Sequence, residues 1–108
     1  MDDLFILLCC GAGMSSGFLA QQMRKAAKKQ GISVRVEAKS QNNMAGDLPD
    51  VDILFIGPHL AYAKEDIERL CEPYHIPVRI IPKQMYGGLD GEGLLNLAIT
   101  TLKEEGNE

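Results

Sequence analysis

The chain has 108 residues, 45% of them hydrophobic and 24% charged. That is the size and composition of one globular domain, 1–108, and it excludes both a two-domain enzyme and a polar disordered tract. Lys and Arg number 11 against 15 Asp and Glu, a net charge of −4, so nucleic-acid phosphate is not an expected partner. The three cysteines, two of them adjacent and none in a CxxC pair, match neither a disulfide framework nor a metal site and suit a reducing, cytoplasmic setting. The apolar run behind Met1-Asp2-Asp3 is too short for a signal segment or a membrane span.

Leu4 to Cys9 is uninterrupted apolar sequence, the habit of a strand buried on both faces of a parallel sheet. Beyond the glycine-rich stretch Gly11 to Gly17, Leu19, Met23, Ala26, Ala27 and Gln30 recur at helical spacing among Gln22, Lys25, Lys28 and Lys29, and Gly31 supplies a C-cap. Ile32 to Ala38 alternates apolar and polar residues, and Val51 to Ile56 is nearly all apolar before Gly57-Pro58; both read as strands. Lys39 to Asp50 between them carries no clear period and is left open as a short helix or an irregular loop.

His59 to Glu72 places Leu60, Ala63, Ile67, Leu70 and Cys71 at helical spacing until Pro73 ends the pattern. A short strand, Val78 to Ile81, lies between Pro77 and Pro82, and Gly93 to Glu105 closes with a leucine-rich helix. Strands alternating with helices at this length predict a single three-layer α/β domain: a four-stranded parallel sheet, order 2-1-3-4, with helices on both faces.

Ligands of such sheets bind beyond the carboxyl ends of the strands. Three segments fall there: Cys10 to Gly17, Gly57 to Tyr62, and Lys83 to Gly91. The first sets a thiol, glycines and two hydroxyls between a strand and a helix. Inward-pointing amides and the helix N-terminus make an anion cradle, and the same field favours thiolate over thiol at Cys10. Cys71, on an apolar helix face with Ile67 and Leu70, reads as a packed core thiol. His75 reads as exposed. Met14, Leu60, Tyr62, Met85 and Tyr86 could border the loop mouth as a docking surface or simply pack at strand ends; His59, at the start of its helix, reads as a surface or capping histidine in preference to a proton shuttle.

Three chemistries use this arrangement. A low-molecular-weight cysteine phosphatase needs an arginine six positions after its thiol, where this chain has Ser16 (from Cys10) or Ser15 (from Cys9); losing that bidentate clamp weakens the case for hydrolysis. A dinucleotide-binding module would use Gly11-Ala12-Gly13-Met14-Ser15-Ser16-Gly17, one residue longer than the usual fingerprint, with Glu37 as the ribose ligand at the end of the second strand. The third is phosphoryl transfer through phosphocysteine.

For that third chemistry the residues Cys10-x-Ala12-Gly13-Met14-Ser15, Gly57-Pro58-x-x-x-Tyr62 and Tyr86-Gly87-x-x-Asp90-Gly91 resemble the IIB component of the bacterial sugar phosphotransferase system, lactose/cellobiose type, over essentially the whole chain. The resemblance implies that Cys10 accepts a phosphoryl group from a phosphohistidine on the IIA component and passes it to a sugar, a β-linked disaccharide, entering through the membrane component IIC. It implies that Gly11, Ala12, Gly13, Met14, Ser15 and Ser16 hold the phosphoryl group through amides and hydroxyls, with no metal or organic cofactor; Tyr62, Tyr86 and His59 are assigned to partner docking from their place at the loop mouth. The missing arginine then has a mechanistic sense: a carrier must hold its phosphoryl group without positioning a water to attack it. Cys9, beside the nucleophile, departs from the pattern.

Overall fold

The computed structural model describes residues 4–9, 14–40 and 43–105. The first apolar run forms β1 (Leu4–Cys9). Phe5, Leu7 and Cys9 enter one core and Ile6 and Leu8 the other, the alternation that a pleated strand covered on both faces must show. β1 pairs in parallel with β2 (Val34–Lys39) and β3 (Ile53–Ile56), and β3 with β4 (Val78–Ile80), giving the order β2-β1-β3-β4. The predicted sheet is the observed one.

Helices α1 (Met14–Gln30) and α4 (Gly91–Glu105) cover one face. Their Leu19, Met23, Ala27, Leu94, Leu95 and Ala98 close over Ile6, Leu8, Val36, Ile53 and Phe55. The other face is covered by α2 (Lys64–Cys71) and by two 3-10 turns, Ala45–Asp50 and Pro58–Ala63. These, with Met44 just before the first turn, contribute Leu48, Leu60, Ala63, Ile67 and Cys71 to the second core. Among the described residues, no helix is long and apolar enough to cross a membrane.

Several boundaries differ from the sequence pattern. β2 starts at Val34, two residues later than predicted, because Gly31 adopts a left-handed φ of 72° and Ile32 donates its N–H to the Ala27 carbonyl at 2.8 Å; this paired closure ends α1 and spends Ile32 on the cap. β2 also runs on to Lys39, so Glu37 lies inside the strand, 3.5 Å from Arg35, and is not its last residue. The segment without a clear period holds the 3-10 turn Ala45–Asp50, tied to the sheet by an ion pair between Lys39 Nζ and Asp47 Oδ2.

The helix predicted over His59 to Glu72 is three pieces: the 3-10 turn Pro58–Ala63, α2, and a 3-10 turn at Glu72–Tyr74. Leu70 is 46% exposed, three residues on from Ile67 and on the flank away from Cys71, so it does not share the buried face. The loop after β4 contains a short helix, α3 (Lys83–Gly87). Asp90 Oδ1 accepts the Gly93 N–H at 2.9 Å, an N-cap that brings the start of α4 forward from Gly93 to Gly91.

β2 is an edge strand of the sheet. At its centre the Arg24 guanidinium, reaching from α1, donates to the Val36 carbonyl through Nε at 3.1 Å and through Nη2.

Candidate functional site

The last paired residues of the four strands form one row: Cys9 pairs with both Lys39 and Ile56, and Ile56 with Ile80. The carboxyl edge of the sheet is therefore level, and the chain leaves it at neighbouring points. Two hydrogen bonds extend the ladder past the strands, from the Gly57 N–H to the Cys9 carbonyl at 2.9 Å and from the Ile81 N–H to the Ile56 carbonyl at 2.8 Å. The residue before Cys10 is thus held from β3. Gly57 in turn accepts the Leu60 N–H at 2.9 Å, and Pro58, lacking an N–H, opens the 3-10 turn.

That turn sorts the predicted rim residues. Side chains three apart eclipse one another in a 3-10 helix. Leu60 and Ala63 both point inward, and Leu60 belongs to the core with Leu7 and Cys9 instead of bordering the loop mouth. His59 and Tyr62 occupy the complementary positions and are exposed, Tyr62 by 82%. The His59 ring lies 5.6 Å from that of Tyr86 on α3, at an interplanar angle of 54°. The geometry links the loops after β3 and β4. Tyr86 and Met85 are half-buried against the core under α1 and α4.

Cys10, Gly11, Ala12 and Gly13 lie outside the described residues. Met14, Ser15 and Ser16 form the first residues of α1, and their side chains also lie outside the described part. Cys9 is completely buried, as its place in a two-sided strand requires. Burial pushes the Cys71 thiol up to about 11, with a smaller push from Glu68, and the residue packs in the core beside Ile67.

Two further residues near this edge do not stand out in the sequence. Phe18, in the first turns of α1, is 54% exposed; its one signal is an aromatic residue on the polar side of a stripe defined by Leu19 and Met23. Lys39, opposite Cys9, is fixed by Asp47, a pairing that no local pattern announces. Among the described residues, no group of three His, Cys, Asp or Glu could hold a metal ion.

These features define a parallel α/β domain, covered on both faces, whose loops gather at the carboxyl edge beside the start of a long helix. The chain belongs to the lactose/cellobiose-specific IIB subunit family of the PTS system, whose family model matches residues 5–97. It is 36% identical over 103 residues to the galactose-specific EIIB component of the PTS of Lactococcus lactis subsp. cremoris, covering 91% of this chain and 95% of that protein. The solution structure of a cellobiose-specific phosphotransferase IIB component from Borrelia burgdorferi superposes with a TM-score of 0.80 at 33% identity, covering 96% of this chain and 95% of the other. A lactose-specific EIICB component of Streptococcus mutans is 29% identical over 96 residues, which are 87% of this chain and 17% of that larger protein.

Proposed function

We propose that the chain is the phosphoryl carrier of a sugar phosphotransferase system, a protein-phosphocysteine–sugar phosphotransferase component, and that Cys10 carries the group. In the first step the Cys10 thiolate attacks the phosphorus of a phosphohistidine on IIA. The P–N bond breaks as the P–S bond forms, and the imidazole leaves with the electron pair and takes up a proton. In the second step a hydroxyl oxygen of the sugar at IIC attacks the phosphorus, the P–S bond breaks, the thiolate is restored and the hydroxyl proton is released. The chain works in the cytoplasm, and the sugar is a β-linked disaccharide.

The observation that carries this reading is the junction around Cys10. β1, a central strand, ends at Cys9, whose carbonyl Gly57 holds, and α1 begins at Met14 and runs for 17 residues. On this reading the field of the helix N-terminus stabilises the Cys10 thiolate and then the phosphoryl group on it. The amides of Gly11 to Ser16, with the hydroxyls of Ser15 and Ser16, hold that group. No arginine stands at position 16 to drive hydrolysis, so the phosphatase alternative lacks its clamp. Family membership supports the carrier role, and a relative named as an EIICB component supports IIC as a partner.

The test is intact-mass analysis after mixing with phosphorylated IIA. The chain should gain one phosphoryl group, and Cys10→Ser should gain none. Transfer that persisted in Cys10→Ser would move the site elsewhere.

A further inference from the structure

Charge is distributed unevenly over the molecule. Across its 17 residues α1 carries Arg24, Lys25, Lys28 and Lys29 and no Asp or Glu. The other 7 Lys and Arg stand against all 15 Asp and Glu, a balance of −8. All four α1 cations are exposed. Lys28 and Lys29 in the last turn complement the helix dipole, but that effect reaches only the last turn and leaves Arg24, Lys25 and the absence of any acid without an account. Along the same helix, Phe18 and Gln21 are exposed, so an exposed aromatic ring precedes the cations at the end nearer the candidate site.

The cations differ in availability. Arg24 is engaged with the Val36 carbonyl. Among the described residues, none of the three lysines is in an ion pair, although Asp90 and Glu92 border the same groove as Lys25 and Lys29. Protein interfaces favour arginine and are depleted in lysine. Flexible point charges on a helix that also exposes an aromatic ring two turns earlier suit the phosphates of a lipid surface.

We infer that the outer face of α1 is a peripheral docking surface for anionic bilayer headgroups. It holds the domain electrostatically against the membrane in which IIC resides, without insertion. The inference goes beyond the carrier reading and does not depend on the chemistry of Cys10.

The test is co-sedimentation of the full chain with vesicles of phosphatidylcholine alone or mixed with phosphatidylglycerol, at low and at physiological salt. Binding should require phosphatidylglycerol and weaken with salt. Each lysine contributes roughly fivefold in partition, and the triple variant Lys25→Gln/Lys28→Gln/Lys29→Gln loses roughly a hundredfold. The corresponding triple Lys→Arg variant should keep the binding, which separates charge from any effect on the fold. Three results would overturn the inference: no binding of the unaltered chain to phosphatidylglycerol vesicles at low salt, partition unchanged in the glutamine variant, or partition lost in the arginine variant. Slower phosphoryl exchange with IIA in the glutamine variant at unchanged vesicle binding would assign this face to a protein partner instead. Because vesicle binding needs no phosphoryl transfer, failure here leaves the role of Cys10 standing, and failure of that role leaves this result standing.

Discussion

Gly91, the first residue of α4, faces the backbone of Gln22 on α1 so closely that a Cβ added there would stand 2.5 Å from the Gln22 Cβ and from the Met23 amide nitrogen. Only a residue without a side chain lets the two helices meet at this point. Gly91→Ala must push α4 away from α1 and should lower stability by about 1–3 kcal/mol. Gly17, also helical, has nothing within 4 Å of its would-be Cβ, so Gly17→Ala should raise stability by roughly 0.5–1 kcal/mol. Thermal melts of the two variants should move in opposite directions, and equal effects would contradict the close helix contact.

The adjacent thiols should behave differently. Cys9 is completely buried in β1, whereas Cys10 opens the connection to α1. Iodoacetamide at neutral pH should therefore label Cys10 before Cys9 or Cys71. Cys9→Ala should lower stability by roughly 1 kcal/mol and keep phosphoryl acceptance, while Cys10→Ser keeps stability and loses acceptance. Peptide mapping that found the phosphoryl group on Cys9 would shift the assignment of the whole loop by one residue.

Tyr62 is 82% exposed beside His59 on the turn that holds the end of β1. If it meets a partner, Tyr62→Glu should slow phosphoryl exchange with IIA severalfold while changing stability by no more than about 0.5 kcal/mol. A charge here that left exchange unaltered would remove Tyr62 from the docking surface.

Cys71 gives the molecule an alkaline limit. Its thiol is raised from 9.0 to about 11, by burial first and by Glu68 second. Above pH 9 the unfolded chain ionises this thiol while the folded chain keeps it protonated, so the native state binds the extra proton. Stability is unaffected below that point and falls between pH 9 and about 11, by up to ~1.4 kcal/mol per pH unit. Denaturant melts of Cys71→Ala should start from lower stability at pH 7 and decline less steeply over that window. Parallel declines in the two proteins would show that Cys71 does not set it.

Much of the frame was legible because burial writes directly into composition. Phe5 to Cys9 and Ile53 to Ile56 are covered on both sides, and a strand with no solvent face has no position at which a polar residue is favoured. The misread parts are those where two periods meet. From Leu60 to Cys71 the inward positions are Leu60, Ala63, Ile67 and Cys71, a step of three followed by steps of four, because a 3-10 turn feeds an α-helix; one continuous helical reading gathers Leu70 into the wrong face. The turn Ala45–Asp50 buries Leu48 alone, amid Gly46, Asp47 and Pro49, too few apolar residues to show any period. At the candidate site, Cys10 and its glycines were conspicuous by residue type, but the exposure of Phe18 and the pairing of Lys39 with Asp47 depend on elements brought together only by the fold.

The Arg24 guanidinium on the Val36 carbonyl bears on how this small sheet lives at high concentration. An open edge strand offers its unpaired backbone groups as a template, and a second chain can extend the sheet by adding a strand there. At the middle of β2 that acceptor is already occupied by a side chain from the same molecule, and an incoming strand would have to expel a charged group to replace it. A residue that looks like ordinary helix-surface charge thus occupies the acceptor at the middle of this edge, and the opposite edge, the three-residue β4, is a much shorter template.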